Sequence, residues 1–138
     1  MFTGEHERLL DEKGRLVLPS NFRRHLQEAA FLTKSLQAPC LMVYSSSEIE
    51  KAAARLTEQV QRKSVDMDAQ RRWAASITEV RADTQGRIAV PPKLRNEVSL
   101  EREAIIIGVI NRAEIWTPEE WRQVEEASEG DPHESVWL

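Results

Sequence analysis

Apolar residues recur along the chain in two rhythms, and each rhythm appears twice. In the first, Leu16 and Leu18 alternate with Arg15 and Val17, and Ile88 and Val90 alternate with Arg87 and Ala89. A period of two turns one apolar face toward a core and predicts a short strand in each place. Glu5–Leu10 reads as the strand preceding the first of them. Two further pairs of strands are predicted, Phe31–Ser35 with Leu41–Ser45 and Ala104–Ile110 with Glu114–Thr117. The second rhythm is helical. Ile49, Ala52, Ala53, Leu56 and Val60 stand at i, i+3, i+4, i+7 and i+11, the spacing of one amphipathic helix face. Phe22, Leu26 and Ala29 predict a shorter helix, as do Leu94 and Val98. Pro19 and Pro91 end the strands and open those helices, because proline suits a first helical turn and not an interior. Thr117-Pro118-Glu119-Glu120 has a threonine cap and a proline at the first helical position. Residues 61–70 are polar and read as a connection, running into a helix with Val65, Ala69 and Trp73 on one face.

Shifting the chain by 72 positions lays one half of this pattern over the other. Asp11-Glu12-Lys13-Gly14-Arg15 falls on Asp83-Thr84-Gln85-Gly86-Arg87, and Pro19 falls on Pro91. Phe22-Arg23 meets Leu94-Arg95, Val43-Tyr44 meets Ile115-Trp116, and Ile49 meets Trp121. One register held for almost forty residues without a gap reads as a duplicated unit. Two copies are too few for a solenoid, so an α+β domain of two pseudo-two-fold repeats is expected. The units span about 1–62 and 78–128, with a connecting helix over 63–77 and a mobile acidic tail over 129–138. Each corner has aspartate first and glycine fourth, the preference of a type I turn. With the glycine left-handed, such a turn closes a hairpin and sets Asp11 across from Arg15.

Charge changes this picture more than bulk composition does. The 138 residues are 41% hydrophobic and 30% charged, ordinary for a globular chain. No apolar run approaches the roughly 20 residues that span a bilayer, and residues 1–15 hold no signal-type apolar stretch. Cys40 is the only cysteine, so no internal disulfide forms. A cytoplasmic protein is expected. The net charge of −4 argues against nucleic acid only until it is mapped. Residues 113–138 hold eight acidic groups and one basic one, Arg122, which leaves +3 for the rest. Arg8, Lys13, Arg15, Arg23 and Arg24 gather around the first corner, and a locally positive field suffices for DNA.

Catalytic chemistry has little to stand on. His6, His25 and His133 have no metal-gathering spacing, and Ser45-Ser46-Ser47 precedes a helix as a cap would. Tyr44, Trp116 and Trp121 fit an aromatic core better than a base-stacking platform. No catalytic residue, metal site, cofactor or small-molecule substrate is assigned. The corners then admit two readings. In one, Asp11 with Arg15 and Asp83 with Arg87 are cross-strand ion pairs that fix two hairpins. In the other, each aspartate holds an arginine ready for a phosphate or a guanine edge. Lys13, Arg15, Gln85 and Arg87 are then the DNA-binding residues, and Asp11, Gly14, Asp83 and Gly86 shape the tips. A scaffold docking a partner on its acidic C-terminal helix, and a small hydrolase, are the alternatives from other classes.

The chain resembles the MraZ family, bacterial transcriptional regulators related to the AbrB-like DNA-binding group. The resemblance rests on Met1-Phe2-Thr3-Gly4-Glu5, on Leu10 to Arg15 with Pro19 and Phe22-Arg23, and on Asp83 to Ile88 with Pro91. It continues through Gly108 and Glu114-Ile115-Trp116, and covers the chain to about residue 125. It implies a double-split β-barrel of two pseudo-symmetric halves. It also implies ring-shaped homo-oligomers, an octamer among them, bound to double-stranded DNA in the nucleoid. The DNA would carry short G-containing direct repeats, in the promoter of the cell-division and cell-wall gene cluster that includes the family's own gene. The second tip departs from the first in its uncharged Thr84 and Gln85, and the tail after Glu126 follows no family pattern.

Overall fold

Each aspartate-to-arginine corner is a turn, but the two strands it joins part at once. In the computed structural model, which describes residues 1–129, β1 (Glu5–Leu9) leads through the first corner into β2 (Arg15–Val17). After α1 (Ser20–Arg23) come β3 (Ala30–Lys34), β4 (Leu41–Tyr44), α2 (Ser46–Gln61) and α3 (Met67–Ser76). β5 (Thr78–Val80) leads through the second corner into β6 (Arg87–Ala89), followed by α4 (Pro92–Glu97), β7 (Glu103–Gly108), β8 (Ala113–Trp116) and α5 (Pro118–Glu129). The expected hairpins do not form. β1 pairs with β7 and β5 with β3, while β2 and β6 pair with each other as a separate two-stranded ribbon. The reason is burial. Leu16, Leu18, Ile88 and Val90 are essentially fully buried in one cluster with Leu32, Val43, Ile106 and Ile115 of the sheet. Side by side with β1, β2 would lie in the sheet; by leaving it, β2 closes the core from the opposite side.

The main sheet has six antiparallel strands in the order β1-β7-β8-β4-β3-β5. Exchanging β1 with β5, β7 with β3 and β8 with β4 returns the same order, so each half lends its first strand to the other. β1 and β5 are its two edges, so the sheet is open and no closed barrel forms. Its outer face carries Phe31, Met42 and Tyr44, packed with Ile49, Leu56 and Trp73 of α2 and α3. Farther along, Ile105, Ile107 and Trp116 lie with Trp121 and Val124 of α5. Tyr44 and Trp116 are buried, as an aromatic core requires.

Two helices are shorter than their periodicity suggests. Phe22, Leu26 and Ala29 are all buried, yet α1 ends at Arg23. The chain then tightens through bonds from His25 N to Phe22 O and from Leu26 N to Arg23 O, which are i to i+3 contacts. α3 begins only at Met67, where the Asp66 side chain caps it, after Lys63 has turned the chain at φ 60°. Ser45 caps α2 by accepting from Glu48 N at 3.3 Å. Apart from Glu129 at the end of α5, the expected acidic tail lies outside the described residues, as does His133. No helix among the described residues is long and apolar enough to cross a membrane.

Candidate nucleic-acid interface

The two tips are built by the same bonds. Asp11 Oδ1 accepts from the backbone N–H groups of Lys13 and Arg15, both at 2.9 Å, and Oδ2 accepts from Arg15 Nε at 2.8 Å. Asp83 does the same with Gln85 N and Arg87 N at 2.9 Å and Arg87 Nε at 2.8 Å. Gly14 N and Gly86 N close the turns on Asp11 O and Asp83 O at 3.0 and 2.9 Å. Both glycines are left-handed, at φ 76° and 77°, which is what lets the aspartate face its arginine.

In each tip the backbone N–H of the arginine is the main group holding the aspartate carboxyl below its ordinary value of 3.8; desolvation opposes it, and the guanidinium and the backbone N–H of Lys13 or Gln85 add smaller lowering effects. A depressed carboxyl contributes stability above its unfolded value and loses it as the pH falls through the folded one. The tips are therefore expected to stay ordered through pH 3.8 and to loosen only below it. Carboxyl resonances of Asp11 and Asp83 check this directly; midpoints at or above the ordinary value would contradict the bonding.

The ribbon brings the tips together. Leu16 pairs with Ile88 at its centre, Arg15 with Ala89 and Val17 with Arg87. Gly14 O and Gly86 O extend the ladder by accepting from Val90 N and Leu18 N, each at 2.9 Å. The tips thus lie at opposite ends of the ribbon. Its apolar side faces the core, and Arg15 and Arg87 stand diagonally across its outer side. They are close enough that Arg87 Nη1 comes within 3.9 Å of Asp11 Oδ2, bridging the two motifs. Both arginine side chains remain about one-quarter to one-third exposed. Lys13 and Gln85 are exposed, one at each end.

Two arginines outside the expected set complete the site. Arg95 lies over Gly14, where a Cβ would come within 2.6 Å of its Cζ, and Arg23 lies in the same way over Gly86. Arg23 Nε donates to Leu18 O and Arg95 Nε to Val90 O, both at 3.0 Å. Each tip is therefore finished by an arginine from the other half. In the sequence Arg23 and Arg95 share the register of the repeat, and Arg23 counts among the basic residues near the first corner; in space it lies at the second.

The other candidates do not assemble. Cys40 is fully buried, and burial pushes its thiol up to about 12, far from a working nucleophile. His6 stands edge-on to Phe22 and His25 lies against Phe2; neither hydrogen-bonds to a serine or to Cys40 among the described residues. Nor do the described residues hold a group of His, Cys, Asp or Glu able to bind a metal ion.

Fold and tips together define a small α+β protein that presents two aspartate-held arginines on one ribbon made from both halves. A family model described as "MraZ protein, putative antitoxin-like" matches residues 1–72 and 74–135. The chain is 36% identical over 133 residues to a protein of Cutibacterium acnes named transcriptional regulator MraZ, covering 94% of this chain and 90% of that one. It is 38% identical over 129 residues to the protein of the same name from Pediococcus pentosaceus, with the same coverage of 94% and 90%. The chain belongs to the MraZ family.

Proposed function

We propose that this protein is a sequence-specific DNA-binding transcriptional regulator with no catalytic activity. The observation that carries the reading is the pair of aspartate-held arginines side by side on the outer face of a two-stranded ribbon. The major groove, about 12 Å wide, admits such a ribbon, and arginine is the side chain that grips guanine O6 and N7 bidentately. Fixing the guanidinium beforehand lowers the entropy lost on binding. Arg15 and Lys13 are the main contacts, Arg87 and Gln85 the second pair, and Asp11, Asp83, Gly14 and Gly86 shape the tips. Lys13 against Gln85 makes the first tip the stronger phosphate holder. The relatives' name, transcriptional regulator, supports the same role.

The DNA is a set of short direct repeats upstream of the protein's own gene, within a cell-division and cell-wall cluster, and the protein works in the nucleoid. A ring of identical subunits sets several ribbons against successive repeats, so modest single contacts multiply. The two halves are copies of one unit, and the sheet and ribbon enclosing a common core are this chain's form of the double-split barrel. A gel shift on the upstream region against excess unrelated duplex tests the assignment, alongside the mass of the free protein. A shift that survives the competitor and a mass of several subunits are expected. Equal binding of both DNAs would contradict sequence specificity.

A further inference from the structure

We propose that Arg23 and Arg95 are two further phosphate-binding residues, each supplying the positive charge of the tip built by the opposite half. The assignment rests on the DNA reading above and deepens it. Within each tip the charges cancel: Lys13 and Arg15 offset Asp11 and Glu12, and Arg87 offsets Asp83. A neutral tip has little attraction for a DNA backbone, whose binding is dominated by charge neutralisation. The missing charge comes from across the ribbon. Arg23 crosses to Gly86 and Arg95 crosses to Gly14, so each tip gains one net positive group.

The geometry leaves these two arginines free to bind. Each spends only Nε on a protein partner, the carbonyl of Leu18 or of Val90 at 3.0 Å. Among the described residues neither forms a salt bridge, in contrast to Arg15 and Arg87, which each hold an aspartate. The terminal nitrogens remain as donors, and a guanidinium packed over a glycine with Nε anchored has already lost much of its rotamer freedom. Arg23 is exposed and Arg95 half-buried, so the second tip is the more open of the two. Glycine at positions 14 and 86 thus has a second role, since any side chain there would push the crossing arginine away. The division of labour follows: the aspartate-held arginines face the groove, and the crossing arginines hold the phosphates beside it.

The test is the salt dependence of DNA affinity, because the slope of log K against log salt counts phosphate contacts. Fluorescence anisotropy on a duplex carrying the upstream region, with the full-length protein, gives that slope. For Arg23→Gln and Arg95→Gln, each substitution is expected to lower its magnitude by about one per bound subunit, with assembly mass and circular dichroism unchanged. Glutamine keeps a donor for the Leu18 or Val90 carbonyl, so the fold is preserved. Arg23→Lys retains the charge and is expected to restore the slope. An Arg23→Gln slope equal to that of the unsubstituted protein overturns the assignment and leaves the DNA reading standing. A slope lost in Arg23→Gln but not restored by lysine marks a purely structural arginine and overturns it too. Absence of any salt-dependent affinity in the unsubstituted protein is the distinct result that removes the DNA reading itself.

Discussion

Replacing Ile88 by alanine is expected to cost about 2–5 kcal/mol of folding stability, the range for emptying a well-packed aliphatic site. Ile88 has no exposed surface and faces Leu16 at the centre of the ribbon, above the inner face of the sheet. Two neighbouring strands of three residues each cannot shift far enough to fill the space, since their ends are fixed by the glycine carbonyls of the tips. Typical domains have a stability of only about 5–15 kcal/mol, so the loss is a large fraction. Urea unfolding at fixed protein concentration measures it as a lower midpoint with an unchanged slope. Because Leu16 and Ile88 touch, Leu16→Ala combined with Ile88→Ala is expected to cost less than the sum of the two. A cost below about 1 kcal/mol for Ile88→Ala would mean that the ribbon is not one wall of the core.

Arg15→Ala and Arg87→Ala are expected to do the reverse, sparing the fold and removing DNA recognition. Partly exposed ion pairs contribute only about 0–1 kcal/mol to stability, so unfolding should barely change. A bidentate arginine to a base edge is worth about 1–3 kcal/mol of discrimination, roughly a 5- to 150-fold loss of preference per contact. In an assembly presenting several ribbons, that loss recurs at every engaged subunit. Arg15→Ala is expected to be the more damaging, since Lys13 beside it has only the uncharged Gln85 as counterpart at the other tip. Competition between the upstream duplex and one with altered guanines reads the discrimination. Preserved preference in a folded Arg15→Ala, Arg87→Ala double variant would exclude both from recognition.

The tips themselves were legible in the sequence, because their structure is local. Aspartate at the first turn position and glycine at the fourth determine a set of bonds that close within five residues. The alternation over residues 15–18 and 87–90 likewise fixed which side chains point inward. It did not fix which strand lies alongside. A period of two is the same whether β2 pairs with β1 or with β6, and the choice is made by core closure between segments some seventy residues apart. That is why hairpins were expected and an exchanged sheet with a separate ribbon was found. The placement of Arg23 and Arg95 is hidden for the same reason: Arg23 is near the first corner in sequence but lies over the second in space. Each reads as an ordinary polar position after a buried Phe22 or Leu94, and only the strand exchange carries it over the opposite glycine.

The central claim, that the ribbon's outer face is where DNA lies, is tested most directly by amide hydrogen exchange of the full-length protein with and without its upstream duplex. Protection is expected in peptides spanning residues 11–15 and 83–87, with residues 46–61 of α2 and 118–129 of α5 unchanged. Protection confined to α5, with both tips exchanging as in the free protein, would contradict the account.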